Sequence, residues 1–126
     1  MADREGISSN DLAIAAARAA ADKQAERVVV LDVRELIVIT DFFIIASGTS
    51  ERQVKSISED IEKALRELGA KPVRREGEAG ARWLLLDFID VVVHVFDEEE
   101  RDFYDLERLW ADAPRVAWEG SDVVSG

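Results

Sequence analysis

Apolar positions along the chain follow two rhythms, helical spacing and short continuous runs. An alanine-rich stretch follows Ser8, Ser9 and Asn10. Alanine is the best helix former and serine and asparagine are favoured N-caps, so the pattern predicts a helix from Asp11 to about Ala25 that packs through small side chains. RVVVLDV (27–33) and DFFIIAS (41–47) read as buried strands, and the intervening RELIVIT is ambiguous between helix and strand. Ser50 and Gln53 have capping-box spacing. Val54, Ile57, Ile61, Leu65 and Leu68 then recur at helical intervals until Gly69 supplies a stop.

KPVRRE (71–76) begins near a proline and suits an edge strand, and GEAGA (77–81) is a loop. Two further strands follow, RWLLLD and DVVVHVF. Asp97 and Glu100 again have capping-box spacing, predicting a helix from about Glu98 to Trp110 with Phe103, Leu106 and Trp110 as its inward stripe. No periodic pattern continues after Pro114, and the end is expected to fray near SDVVSG. The order of elements predicts an α/β protein with a mixed sheet of about five strands flanked by helices. It forms one domain over residues 1–114, with an irregular tail over 115–126.

A chain of 126 residues supports one such domain and too little surface burial for two. The absence of cysteine removes disulfides, thiolate nucleophiles and Cys-ligated metals, and a single histidine leaves little for a His-based metal site. No metal or cofactor is expected. A net charge of −11 disfavours grip on phosphate backbones and favours a basic protein partner. The charged start lacks a signal-peptide apolar region and no apolar run approaches a membrane span, so a cytoplasmic location without membrane contact is expected.

Candidate chemistry concentrates in the last hairpin. If Phe88 and Ile89 form a tight loop, Asp87 faces Asp90, Leu85 faces Val92 and Trp83 faces His94. Alternation places these on one face, and Leu84, Leu86, Val91, Val93 and Val95 on the core face. Asp90 and His94 are roughly 13 Å apart on an extended strand, too far for one catalytic pair. Asp87 and Asp90, as cross-strand neighbours about 5 Å apart, could hold magnesium or share a proton. The plainer alternative, that each caps a turn or pairs with an arginine, agrees with the preference of aspartate for turns. For His94 the readings are a half-buried residue beside Trp83 or a docking residue; nothing is placed to make it catalytic. ASGTS (46–50) sits before a helix, where backbone amides can hold phosphate, but lacks a phosphate-loop pattern. The final helix carries a dense acidic belt against only Arg101 and Arg108, beside aromatics of the kind that anchor interfaces.

ITDFFIIASGTSERQV (39–54), WLLLD with DVVVHVF (83–96) and RDFYDLERLW (101–110) resemble the ribosome silencing factor family, RsfS or Iojap, in order from about Asn10 to Pro114. The resemblance implies a homodimeric α/β protein, nucleotidyltransferase-like in fold but without catalytic residues. It also implies binding to the large ribosomal subunit through the ribosomal protein numbered fourteen, which blocks subunit association and represses translation under nutrient limitation. Trp83, Asp87, Asp90, His94, Arg101, Tyr104, Glu107 and Trp110 match the family's motif positions and become the expected partner-binding residues. A metal-dependent nucleotidyl or phosphoryl transferase using Asp87 and Asp90 is the competing function. One departure stands out: family members usually have glycine between the two aspartates, where this chain has Phe88-Ile89. Either the loop is wider than a two-residue turn or these residues form a local apolar surface, because β-branched Ile resists positive φ.

Overall fold

The computed structural model describes residues 7–77 and 82–119. Most of the expected GEAGA loop and the SDVVSG end lie outside the described residues. Helix α1 (Ser9–Asp22) begins two residues earlier than the composition suggested, because Ser8 and Asp11 close a capping box in which each side chain accepts the other's backbone amide. Its buried Ala13, Ala16, Ala17 and Ala20 let it lie close against helix α2 (Glu51–Glu67) and the sheet. α2 starts at Ser50, whose Oγ accepts the Gln53 amide at 3.1 Å. It ends in a Schellman arrangement: Gly69 takes φ +95° and the Ala70 amide returns to the Leu65 carbonyl at 2.9 Å.

The strands are β1 (Glu26–Asp32), β2 (Phe42–Gly48), β3 (Arg74–Glu76), β4 (Trp83–Asp87) and β5 (Val91–Asp97), arranged in the order β1-β2-β5-β4-β3. Only β2 and β5 run parallel, joined by the crossover that contains α2, so the sheet is mixed. RELIVIT forms an irregular connection whose Val38 and Ile39 are exposed.

One face of the sheet carries Val30, Ile44, Ala46, Leu86, Val91, Val93 and Val95 beneath α1 and α2. The opposite, outer face carries Val29, Leu31, Phe43, Ile45, Ser47, Trp83, Leu85, His94 and Phe96. Helices α3 (Glu98–Tyr104) and α4 (Leu106–Leu109) border that face. Leu106, Trp110 and Ala113 complete its smaller core. Residues 114–118 then run along β1: the Asp32 amide donates to the Pro114 carbonyl, the Val116 amide to that of Val30, and the Trp118 indole to that of Val28. The β1 edge is thereby covered, whereas β3 ends the sheet with three exposed, charged residues.

Two expectations are corrected. The β4–β5 hairpin pairs Trp83 with Phe96, Leu85 with His94 and Asp87 with Val92, so Asp87 does not face Asp90 and Trp83 does not face His94. The strands close at Phe88 and Val91, where the Phe88 amide donates to the Val91 carbonyl at 2.8 Å, and the turn is Ile89-Asp90. Burial explains the shift: Phe88 is sealed into the core beneath the helices, which requires the turn to start one residue later. The last helix is also not continuous to Trp110. Asp105 adopts the left-handed conformation (φ 48°, ψ 53°), splitting it into α3 and α4 and turning Phe103 to solvent instead of inward.

Candidate docking surface

The outer face is built around stacked rings. The Trp83 indole donates to His94 Nδ1 at 3.2 Å, so the two are partners as diagonal neighbours although they are not directly opposite. Accepting at Nδ1 leaves the histidine proton on Nε2. Burial pushes the His94 pKa down to about 4, keeping the ring neutral. Trp83 stacks on Phe96 at 4.9 Å and meets Tyr104 at 4.6 Å, while Phe43 stands edge-on to His94 at 5.5 Å and to Trp110 at 5.2 Å. Trp83, His94, Tyr104 and Trp110 are therefore brought into one layer, completed by Phe43 and Phe96. Phe43 and Phe96 are ordinary strand residues in sequence, and only the parallel β2–β5 register reveals that they share this face.

Arg101 is almost wholly enclosed, at 1% exposure. Its guanidinium donates to Glu107 Oε2 at 2.5 Å, Glu107 Oε1 at 3.3 Å, Ser47 Oγ at 3.2 Å and the Glu26 carbonyl at 3.4 Å. A continuous helix would separate residues six apart by about 9 Å along its axis, on different sides. The left-handed Asp105 folds α4 back so that Glu107 meets Arg101. Burial opposes ionisation of Glu107, but the hydrogen bonds and charge of Arg101 hold its carboxyl below the usual carboxylate range. Arg101 and His94 are enclosed by the chain's own side chains, so they shape the surface from beneath.

The acidic belt is more compensated than its sequence implies. Arg27 pairs with Glu98 at 2.7 Å and Asp102 at 3.1 Å, and Arg82 pairs with Asp97, Glu99 and Glu100. These arginines lie far away in sequence, beyond the reach of helical spacing.

Asp87 and Asp90 lie at the other end of β4 and β5. Asp87 Oδ1 accepts the Ile89 amide at 2.8 Å, its other oxygen lies 3.7 Å from Arg74, and the Asp90 carbonyl accepts the amides of Asp41 and Phe42. They shape the turn, and the facing carboxylate pair required by the transferase reading is not formed. Among the described residues no group of three or more histidines, cysteines or carboxylates is placed to hold a metal ion. The ASGTS loop is likewise engaged internally. Gln53 Oε1 accepts the Thr49 amide at 2.7 Å and its hydroxyl at 3.0 Å, while Nε2 donates to the carbonyls of Lys23 and Gln24.

α3 and α4 leave the β4–β3 part of the outer face open. There Arg74, Glu76, Trp83 and Leu85 line a cleft of about 240 Å³, with Tyr104 standing against Trp83 at 4.6 Å. Tyr104 is 44% exposed and Leu85 half-buried. Alternation placed Leu85 on this face without singling it out as a site residue, and sequence reasoning missed Arg74 because β3 carries too little apolar pattern to give its register.

Fold and surface together define an α/β protein that presents an aromatic strip, bordered by carboxylates, on the side of the sheet away from its two long helices. The profile of the family described as "Ribosomal silencing factor during starvation", RsfS, matches residues 7–125. The chain is 46% identical over 114 residues to "Ribosomal silencing factor RsfS" of Halalkalibacterium halodurans, spanning 90% of this chain and 97% of that one. Identity to the Bacillus subtilis protein of the same name is also 46%, over 99 residues, 79% of this chain and 84% of the relative. A crystal structure of a Chromobacterium violaceum protein superimposes with a TM-score of 0.80 at 34% identity, covering 83% of this chain and 88% of the other. The chain belongs to the ribosomal silencing factor family.

Proposed function

We propose that this protein docks on the large ribosomal subunit through its ribosomal protein numbered fourteen, and that its bulk sterically prevents the small subunit from joining. Translation is thereby repressed when nutrients are limited. The protein acts in the cytoplasm as a binding factor without catalysis, and exists as a homodimer when free. The observation that carries the reading is the open strip of Trp83, Leu85 and Tyr104, apolar at its centre and edged by charge. Such a strip suits a protein surface, since aromatic anchors in a polar rim supply most binding energy at interfaces. The net charge of −11 favours a basic ribosomal protein over the phosphates of ribosomal RNA. Among the expected partner residues, Trp83 and Tyr104 make the contact, with Asp87 and Asp90 at the far end of the hairpin. His94, Arg101, Glu107 and Trp110 hold the strip in shape.

A subunit-joining assay tests this. Purified protein added in excess to separated subunits lowers the yield of joined ribosomes, and Tyr104→Ala restores it while the variant still folds. Undiminished joining at saturating wild-type protein contradicts the proposal.

A further inference from the structure

We infer that Phe103 and Leu109 form a second anchor of this docking surface, shaped for a partner segment that carries one arginine or lysine beside an apolar residue. The inference rests on the docking function proposed above and extends its surface from the sheet onto α3 and α4. Phe103 is 78% exposed and Leu109 72% exposed. Both line one shallow cleft together with Asp102, Tyr104, Asp105 and Arg108. The outer core takes Leu106 and Trp110 from the same segment. The fold thus leaves Phe103 and Leu109 outside both cores and largely in water.

Their exposure follows from the left-handed Asp105, which breaks the helix and re-aims the residues on both sides of it. Phe103 meets Tyr104 edge-on at 5.1 Å, and Tyr104 meets Trp83 at 4.6 Å. The cleft therefore continues the open aromatic strip.

Charge selects the occupant. Residues 97–109 contain seven carboxylates (Asp97, Glu98, Glu99, Glu100, Asp102, Asp105, Glu107) and two arginines (Arg101, Arg108), a net of −5. Arg27 and Arg82 pair with this segment from outside and reduce the local balance to −3. At the cleft itself Asp102 is shared with Arg27, whereas no ion pair among the described residues engages Asp105. A cation held by Asp105 can lie over the Phe103 or Tyr104 ring and gain from both carboxylate and π-face. Arg108, lining the same cleft, limits the fit to one cationic side chain and disfavours a polybasic run. A nucleic-acid backbone meets carboxylates here and is repelled.

The test measures equilibrium binding of the full chain to purified large ribosomal subunits at low and high salt. Phe103→Ala and Leu109→Ala each weaken binding tenfold or more, with thermal midpoints within about 2 °C of wild type because the side chains are exposed. Asp105→Asn, which keeps a residue tolerant of the left-handed conformation, weakens binding several-fold at low salt, and high salt removes the difference. If both apolar variants bind as wild type while Trp83→Ala is weakened, the second anchor is overturned and the docking function stands. An Asp105→Asn variant equal to wild type at both salts overturns the cationic occupant. Wild-type protein that fails to bind large subunits overturns both the anchor and the function on which it rests.

Discussion

The two faces of the sheet are buried by different chemistry. Beneath α1 and α2 the core is mostly aliphatic side chains and phenylalanine, and its buried Ser58 on α2 donates its hydroxyl locally to the Lys55 carbonyl at 3.0 Å. The outer face buries a histidine, an arginine and a serine among its rings. Aliphatic packing is non-directional and tolerates small adjustments, so the first face supplies stability. A buried guanidinium or imidazole is costly unless its partners stand in fixed positions, so the second face is tied to one geometry. The helix-covered face therefore holds the protein together, and the outer face holds a surface in shape.

Substitutions on the two faces separate these roles. Ile61→Ala, in the fully buried row of α2, removes about 4 kcal/mol of stability in denaturant titrations and leaves subunit affinity unchanged wherever the variant is still folded. Glu107→Ala leaves the enclosed Arg101 without its counter-ion and costs about 3 kcal/mol. Unlike Ile61→Ala, it also weakens docking of the folded fraction, because α4 loses its tie to α3.

His94 adds a pH signature that belongs to the outer face alone. The unfolded imidazole takes up its proton near pH 6.5, while burial holds the folded one at about 4. Between these values the unfolded state binds more protons, so stability is full above pH 6.5 and falls as the pH falls. About 2 kcal/mol is lost by pH 5. The carboxyls of Asp32 and Glu62 are held below the usual carboxylate range by hydrogen bonds from Arg34 and Arg75, so their stabilising contribution is lost only as the pH falls further than the histidine's decline between 6.5 and 5. His94→Gln abolishes the decline between pH 6.5 and 5 in denaturant titrations at stepped pH; persistence of the full decline refutes the assignment.

The smallest effect lies at the hairpin turn. Ile89 takes φ +77° and the Asp90 amide returns to the Phe88 carbonyl at 3.0 Å, a tight turn strained for a β-branched residue. Ile89→Gly gains about 1 kcal/mol, read as a raised thermal midpoint, with no change in binding.

This turn also marks where the sequence was legible and where it was not. Alternation alone assigned both faces of β4 and β5 correctly, since pairing that shifts by two residues preserves parity. Trp83 and His94 were therefore rightly placed together, whereas the Asp87–Asp90 pairing was not. What fixed the register was burial of Phe88 under the helices, a tertiary gain large enough to impose positive φ on Ile89. The final helix failed for a similar reason. Its capping signal at Asp97 was readable and its amide contact is made, but helical periodicity carried the stripe through Asp105. The demand of Arg101 for Glu107, Ser47 and the Glu26 carbonyl decides the break, and two of those partners lie more than fifty residues away. Phe103 was assigned inward because periodicity cannot register a single left-handed residue.

The central claim, that the outer face docks while the helix-covered face supports it, is tested most directly by side-chain footprinting of the full chain with and without large ribosomal subunits. The account predicts that Trp83, Leu85, Tyr104, Phe103 and Leu109 become protected on binding, while exposed positions of α1 and α2 such as Lys55 and Lys63 keep their reactivity. Protection confined to α1 and α2, with Trp83 and Tyr104 as reactive as in the free protein, would contradict it.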